Sequence, residues 1–407
     1  MRYLIVMAAL ALVLAACQST PTPPSNAIAA GDGTPAAGPT TTSGNPIASS
    51  GSAARPAAQP TATATAAPPT QTPRPTPTAS PTPSPTPPPQ ARQLTQDGCC
   101  VAPSWSPDGS KVIYLDKPSP DAATAYYGID VTTPGAKPEV FEARVAQWTG
   151  DFQYITTRGD GFAIIERPSD GKTWRINTGR CSIIAPTGCQ VTLSPDRQQV
   201  VWSITAEATG PFEGRHTQIR MANIDGSNAR TIASLLSTRA GASWFPDGRR
   251  LLVSGRPDTT TQDIAFWVLD LADGSMKEIL RGERINRGAL SPDGQWLFYT
   301  IVLDDHPERN GLWLIRTDGT DQRKLPFFGP AAWRGNTKLV YIPFEPETTS
   351  HSVWEYDVET NTTHALTDPK TTPFKISFGD WALSPDGKRI VFMAAQDRNL
   401  YVLDLPN

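Results

Sequence analysis

Histidine, cysteine and methionine are scarce in this sequence, which has only four, five and five of them among 407 residues. Motifs that usually mark catalysis are missing as well: there is no G-x-S-x-G nucleophile turn, no H-E-x-x-H zinc motif and no glycine-rich phosphate loop. So few nitrogen and sulfur ligands disfavour a built metal centre. We therefore expect a protein without metal, cofactor or enzymatic activity.

Charge is nearly absent from residues 18–90, where Asp32, Arg55 and Arg74 are the only ionisable side chains. Runs such as PTPTASPTPSPTPPP cannot bury enough apolar surface to offset chain entropy. Proline favours the extended polyproline conformation, so this composition predicts a semi-rigid spacer. We expect a disordered Pro/Thr/Ala-rich linker over residues 17–91.

The folded part should then be one domain, residues 92–407. Without the three charged linker residues and Arg2, the chain retains 33 basic and 38 acidic side chains, a net charge of −5. This acidic balance disfavours nucleic acid as a partner.

No apolar run at the N-terminus is long enough to span a bilayer. Arg2 precedes a short apolar stretch, residues 4–14, and then small residues, which is the layout of a secretory signal. The sequence L-A-A-C that ends at Cys17 resembles the lipobox of bacterial lipoproteins. The resemblance implies a signal peptide over residues 1–16, acylation of Cys17 and a membrane tether outside the cytoplasm. The alternative is an ordinary cleaved signal with an incidental cysteine.

The remaining cysteines fit an oxidising compartment. Cys181 and Cys189 bracket the short segment S-I-I-A-P-T-G, and we expect a disulfide to close it. Cys99 and Cys100 are adjacent, and the sequence leaves open whether they bond to each other or stay free.

A motif with the core W/L-S-P-D-G recurs along the second part of the chain. Copies and degenerate copies begin at Trp105, Trp148, Leu193, Trp244, Leu290, Trp333 and Leu383, with spacings of 43, 45, 51, 46, 43 and 50 residues. A period in this range, with alternating aromatic and β-branched residues, is typical of a β-propeller. Each repeat reads as four short strands, so we predict an all-β, seven-bladed propeller of four-stranded blades.

The seventh repeat is one strand short. The missing strand is at the other end of the domain, where A-R-Q-L-T-Q-D (residues 91–97) matches H-A-L-T-D-P-K (residues 364–370), the outer strand of the sixth repeat. We expect this N-terminal strand to complete the last blade and remove an exposed edge.

These repeats resemble those of the TolB-type propellers, over about three quarters of the chain. The resemblance implies the fold and says little about function. TolB itself has six blades behind an α/β domain, whereas seven repeats follow a low-complexity linker here. Prolyl-oligopeptidase-like enzymes share the motif, but no α/β-hydrolase domain follows the last repeat in this sequence.

Each residue of S-P-D-G has a steric role in a tight turn. Proline presets φ, the aspartate accepts backbone N–H groups, and glycine adopts the left-handed conformation. Five turns on five blades cannot place two carboxylates beside one bond, as paired-carboxylate catalysis requires. We therefore predict a structural role for the turn carboxylates, which are Asp108, Asp196, Asp247, Asp293 and Asp386.

The loops between the two middle strands of each repeat vary, and in a propeller they share one face. Mobile loops on a rigid ring are where binding usually occurs. One of them, D-D-H-P-E-R, has residue types that can ligate metals, although one such cluster in a polar loop is weak support for a site. The candidate binding residues in these loops are Glu213, Arg215, His216, Asp304, Asp305, His306, Arg309 and His351.

Two functional hypotheses follow. The first is a monomeric, lipid-anchored, extracytoplasmic binding or scaffold module for an envelope protein or a cell-wall glycan. The second is a secreted propeller hydrolase or lyase that acts on glycans.

Overall fold

A computed structural model describes residues 88–98, 101–119, 121–144, 146–179, 191–205, 216–258, 260–345 and 347–406. These residues belong to one compact unit, Thr82–Asn407. The predicted lipidation site Cys17, the linker and the cysteines 99, 100, 181 and 189 lie outside the described residues.

Alternation of buried and exposed side chains makes this part of the chain almost entirely β-structure, in six antiparallel sheets. Sheet I has four strands: β2 (Val101–Trp105), β3 (Lys111–Asp116), β4 (Ala125–Asp130) and β5 (Glu139–Glu142). Sheet II has β6 (Gln147–Trp148), β7 (Ile155–Arg158), β8 (Phe162–Arg167) and β9 (Lys172–Asn177).

Sheet III has seven strands: β10 (Thr192–Leu193), β11 (Gln199–Thr205), β12 (His216–Asn223), β13 (Arg230–Trp244), β14 (Arg250–Arg256), β15 (Ile264–Asp270) and β16 (Met276–Gly282). Sheet IV has β17 (Ile285–Leu290), β18 (Trp296–Ile301), β19 (Gly311–Arg316) and β20 (Arg323–Lys324). Sheet V has β21 (Ala331–Arg334), β22 (Lys338–Tyr341), β23 (Trp354–Asp357) and β24 (Thr362–Ala365).

Sheet VI combines the two ends of the domain, in the order β1 (Ala91–Gln93), β27 (Leu400–Asp404), β26 (Arg389–Ala394) and β25 (Ile376–Leu383). Helix is limited, within the described ranges, to a 3-10 turn at Pro307–Arg309. No helix in the described part of the chain is long and apolar enough to cross a membrane.

The prediction of seven separate four-stranded blades was wrong in its count. Five sheets have four strands each, and the repeats that begin at Leu193 and Trp244 share sheet III. The reason is β13, a 15-residue strand that continues from one repeat into the next without a loop. Leu236 pairs both with His216 of β12 and with Arg256 of β14, and the pairing with β14 resumes at Gly241 after a register shift.

The predicted N-terminal closure is confirmed. Ala91, Arg92 and Gln93 of β1 pair antiparallel with Leu403, Val402 and Tyr401 of β27. The guanidinium of Arg92 also donates to the carbonyl of Val131, next to sheet I, at 2.9 Å. The first described strand therefore completes the last sheet and ties it to the first.

The hydrophobic core lies between neighbouring sheets. Buried Trp105 and Val112 of sheet I pack with Val391 and Val402 of sheet VI, and sheet VI packs on sheet V through another cluster. Further clusters join sheets II and III, III and IV, and IV and V. Because the last sheet packs on both its predecessor and the first sheet, the arrangement is propeller-like.

Candidate functional site

The S-P-D-G turns join the first two strands at one end of their sheets. In the first of them, the Asp108 carboxylate accepts the Ser106 hydroxyl at 2.6 Å and the Ser110 N–H at 3.0 Å, while Gly109 has φ 68°. The Ser106 hydroxyl, and after it the Ser110 N–H, lower the pKa of Asp108 to about 2. Asp108 is thus an ionised turn residue whose acceptor sites are occupied.

The other predicted turn carboxylates have similar contacts. Asp196, Asp293 and Asp386 each accept the hydroxyl of the serine two residues earlier, at 2.5, 2.6 and 2.6 Å. Asp247 has Phe245 instead of a serine two residues earlier, and its carboxylate accepts the Arg249 N–H at 2.8 Å and the Arg250 Nε–H at 2.7 Å. All five side chains are engaged within their own turns, at five separate repeats.

One buried carboxylate at these turns was missed by the sequence analysis. The repeat at Trp333 has R-G-N-T in place of S-P-D-G, and Glu355 of β23 supplies the carboxylate from outside the turn. Its side chain is 1% exposed and lies 2.8 Å from the Arg334 Nη1 and 2.7 Å from the Lys338 Nζ. In the sequence, the only indication of such a carboxylate was the pair of cationic residues, Arg334 and Lys338, on either side of a turn that has no aspartate.

The first strands of neighbouring repeats contact each other through the tryptophans of the motif. The indole N–H of Trp105 donates to the Ala382 carbonyl of β25 at 3.0 Å, and that of Trp244 to the Thr192 carbonyl of β10 at 3.2 Å. Trp333 makes the corresponding contact to Ala289 of β17 at 3.5 Å. These bonds show that the first strands line the inside of the arrangement.

The opposite ends of four first strands are irregular. The pairing register shifts between Val101 and Ser104 in β2, and between Asn286 and Gly288 in β17. Similar shifts lie in β13, as described above, and between Ile376 and Trp381 in β25. Bulges re-aim side chains and often border binding sites.

Asp380 lies in the bulge of β25 and is unlike the turn carboxylates. It is partly buried, and no hydrogen bond to its carboxylate is found within the described residues. Burial raises its pKa, and Arg398 opposes this effect only in part. A half-buried carboxylate with a raised pKa at the inner end of a strand is a candidate functional group. The sequence contains no signal for it, because Asp380 lies three residues before the repeat motif, in a strand and not in a variable loop.

The carboxylate of the predicted loop residue Asp304 already has partners within its own loop. Its side chain is 4% exposed, and its Oδ2 lies 3.2 Å from the Arg309 Nη1. Its Oδ1 accepts the His306 N–H at 2.9 Å, and its own N–H donates to the Asn310 side chain. Asp304 and Arg309 therefore stabilise their loop, while Asp305 and His306 are exposed.

The other two predicted histidines, His351 and His216, lie outside this loop. His351 accepts the Ile376 N–H on its Nδ1 at 3.1 Å and donates its backbone N–H to Phe374 at 2.7 Å. Burial, followed by the charge of Lys375, lowers the pKa of His351. His216 is the exposed first residue of β12, and Glu213 and Arg215 lie outside the described residues.

An exposed aromatic pair lies at the same end of the sheets as these loops. Phe328 precedes β21 and Phe344 follows β22, and they are 48% and 65% exposed. Their rings meet edge to face with centroids 6.3 Å apart, and the Phe344 N–H donates to the Phe328 carbonyl at 2.7 Å. Among the described residues, no group of three or more His, Cys, Asp or Glu side chains could hold a metal ion.

Comparison with known proteins supports the fold. No family model matches the chain. The chain is 30% identical over 107 residues to the Tol-Pal system protein TolB of Anaeromyxobacter dehalogenans strain 2CP-C, which is 25% of this chain and 22% of that protein. The chain thus matches about a fifth of the length of that curated relative.

Among solved structures, an oligogalacturonate lyase from Vibrio parahaemolyticus matches with 12% identity and a TM-score of 0.54, over 78% of this chain and 94% of that one. An oligogalacturonate lyase in complex with manganese matches with 13% identity and a TM-score of 0.52, over 79% and 99%. At this level of identity the likeness concerns the fold alone.

Proposed function

We propose that this protein is a membrane-anchored, extracytoplasmic binding or scaffold module whose ligand is an envelope protein or a cell-wall glycan. The observation that carries the proposal is the contrast between the two ends of the sheets. At one end the turn carboxylates are saturated by their own turns. At the other end lie bulged first strands, the carboxylate of Asp380 and the exposed pair of Phe328 and Phe344.

The exposed aromatic pair has the composition of an interaction surface. Aromatic side chains are enriched where proteins bind partners, because they bury a large area at little cost in side-chain entropy. The backbone bond between Phe344 and Phe328 holds the two rings in one arrangement. A ligand would therefore meet a preformed surface.

The proposed location rests on the N-terminal sequence. A short apolar run followed by L-A-A-C supports export and acylation of Cys17. The partial similarity to TolB, a protein of the Tol-Pal system, is consistent with an envelope location. Labelling cells with a radioactive fatty acid should mark the wild-type protein and not the Cys17→Ala variant. Equal labelling of both would contradict the anchor.

The binding role is tested by affinity capture from an envelope extract with the full chain. We expect a reproducible partner that is lost when Phe328 and Phe344 are both changed to serine. The matched control changes two exposed residues at the outer edge of sheet I, Val140 and Phe141, to serine, and it should keep the partner. Failure to recover any partner, or equal loss in both double variants, would contradict the proposal.

A glycan lyase is the second candidate, favoured by the fold likeness to oligogalacturonate lyases. Asp380 is its best acid–base candidate, because catalytic carboxylates often have a raised pKa. The test is incubation with oligogalacturonate, with and without Mn²⁺, followed by detection of unsaturated products. Turnover that is abolished by Asp380→Asn would replace the scaffold proposal by this one.

A further inference from the structure

We propose that the bulge of β25 binds a cationic side chain, a lysine or arginine of a protein partner, through the carboxylate of Asp380. This inference rests on the proposed binding function and specifies the chemistry of its ligand. It depends on the shape of the bulge, on the surroundings of Asp380 and on the single charge that the bulge presents.

The bulge of β25 is wide and opens onto free space. Ile376 pairs with Ala394 and Trp381 with Phe392, so four residues of β25 lie opposite the single residue Met393. Gly379 within it has φ 76°, and no atom lies within 4 Å of the position where a Cβ would be. Asp380 therefore stands next to a space that a ligand group can enter.

Within the described part of the chain, Asp380 has no partner of its own. Among the described residues its carboxylate has no hydrogen-bond donor and no ion pair within 4 Å, and Arg398 acts on it from farther away. Burying a carboxylate without donors is costly, and the cost is removed when a charged donor arrives. A ligand with N–H donors and a positive charge would supply the hydrogen bonds and the countercharge that the described residues do not give Asp380.

A single carboxylate selects a single cationic group rather than a metal ion. Counted back from the turns, Ala102, Gly241, Arg287 and Pro330 occupy the position of Asp380 in other repeats. None of them adds a carboxylate oxygen, whereas Ca²⁺ and Mg²⁺ require several oxygen ligands. The net charge of −5 in residues 92–407 also favours a basic partner.

The bulge is joined to the exposed aromatic pair. His351, in the loop that begins after β22 and carries Phe344, accepts the N–H of Ile376, the residue directly before the bulge. The Lys375 ammonium donates to the Thr348 carbonyl of the same loop at 2.8 Å. The loop that carries Phe344 is therefore fixed to the chain just before the bulge that carries Asp380.

The test measures binding of a fluorescent lysine octamer to the full chain at low salt and pH 7. Asp380→Asn should weaken binding about tenfold, as expected for loss of one charged hydrogen bond. The control Asp121→Asn removes the same charge from an exposed loop of sheet I at the same end, and it should change binding less than twofold. Arg398→Gln removes the opposing cation and should strengthen binding severalfold.

The melting temperature separates a binding role from a structural one. Because burial raises the pKa of Asp380, its ionised form is disfavoured in the folded protein, so Asp380→Asn should raise the melting temperature at pH 7. The gain should vanish as the pH falls below the ordinary pKa of aspartate. A lower melting temperature, equal loss of binding in both aspartate variants, or no binding of the octamer by the wild type would overturn the cationic site.

Capture from the envelope extract keeps this failure distinct from failure of the proposed function. If Asp380→Asn retains the partner that wild type captures, the cationic site is wrong and the binding function stands. If wild type captures no partner, the proposed function itself is wrong.

Discussion

Two carboxylates of β25 and its turn, six residues apart, experience opposite environments. Burial alone would raise the pKa of Asp386, but the Ser384 hydroxyl and the Lys388 N–H outweigh it and the pKa lies below its usual value. Asp380, at the bulged end, has no such donors among the described residues, and burial raises its pKa. The chemistry of an aspartate here depends on which end of the strand carries it.

This difference shows that the polar contacts to carboxylates are concentrated at the turn end of the sheets. At the turn end, hydroxyls, backbone N–H groups and cations saturate each carboxylate, including Glu355, which reaches a degenerate turn from another strand. Saturated groups have no capacity left for a ligand. Substitutions at the turn end should therefore lower stability, whereas substitutions at the bulged end should lower binding.

The largest loss of stability should follow Glu355→Gln. This substitution leaves the Arg334 guanidinium and the Lys338 ammonium facing a neutral group that is 1% exposed. We expect the free energy of unfolding to fall by about 3 kcal/mol, as for a broken buried ion pair. Urea denaturation measures it, with His364→Gln as the control, since that imidazole is 53% exposed. Equal effects of the two substitutions would show that the Glu355 cluster contributes little.

A smaller loss should follow Ser384→Ala. The buried Ser384 hydroxyl donates to Asp386 at 2.6 Å and accepts the Arg389 N–H at 2.9 Å. We expect the free energy of unfolding to fall by about 1–2 kcal/mol, because the partly buried Arg389 N–H then loses its acceptor. Ser106→Ala makes the same change in the more exposed turn of sheet I and should cost less. The reverse order in urea denaturation would contradict the role of burial.

The inward-facing tryptophans allow a matched comparison of one hydrogen bond. Trp105→Phe removes the indole N–H that donates to Ala382, whereas the buried Trp148 N–H has no partner among the described groups. We expect Trp105→Phe to lower the free energy of unfolding by about 1 kcal/mol more than Trp148→Phe does, which is the usual contribution of one hydrogen bond. Differential scanning calorimetry of both variants measures the difference. Equal costs would mean that ring packing alone joins the first strands.

The smallest effect should be the pH dependence contributed by Asp108. Its pKa in the folded protein is lowered to about 2, so its ionised form stabilises the fold at neutral pH. This contribution should be lost as the pH falls from about 4 to about 2, through the pKa values of the unfolded and folded states. The melting temperatures of wild type and Asp108→Asn should therefore converge in acid. A constant difference across this range would show that the turn does not depend on the ionised carboxylate.

Much of the architecture was predictable from the repeats. The motif located the first turn of each repeat, and the match of residues 91–97 to an outer strand predicted the pairing of β1 with β27. The number of separate sheets was not predictable, because the continuity of β13 depends on the pairing of Leu236 and Gly241 with β14 and not on a turn signal. Asp304 was predicted as a binding residue, yet the structure places it in an ion pair with Arg309.

The covalent order of residues was enough to specify local geometry. Pro, Asp and Gly at fixed positions dictate tight turns, and alternating apolar side chains dictate strands, since both follow from sterics and burial within a few residues. Only the tertiary structure decides which carboxylates have all their hydrogen-bond acceptor sites filled and which remain available to a ligand. Glu355 contacts cations on other strands, whereas the carboxylate of Asp380, in a bulge, has no donor among the described residues. The surroundings that set the charge of these groups are formed by residues distant in sequence.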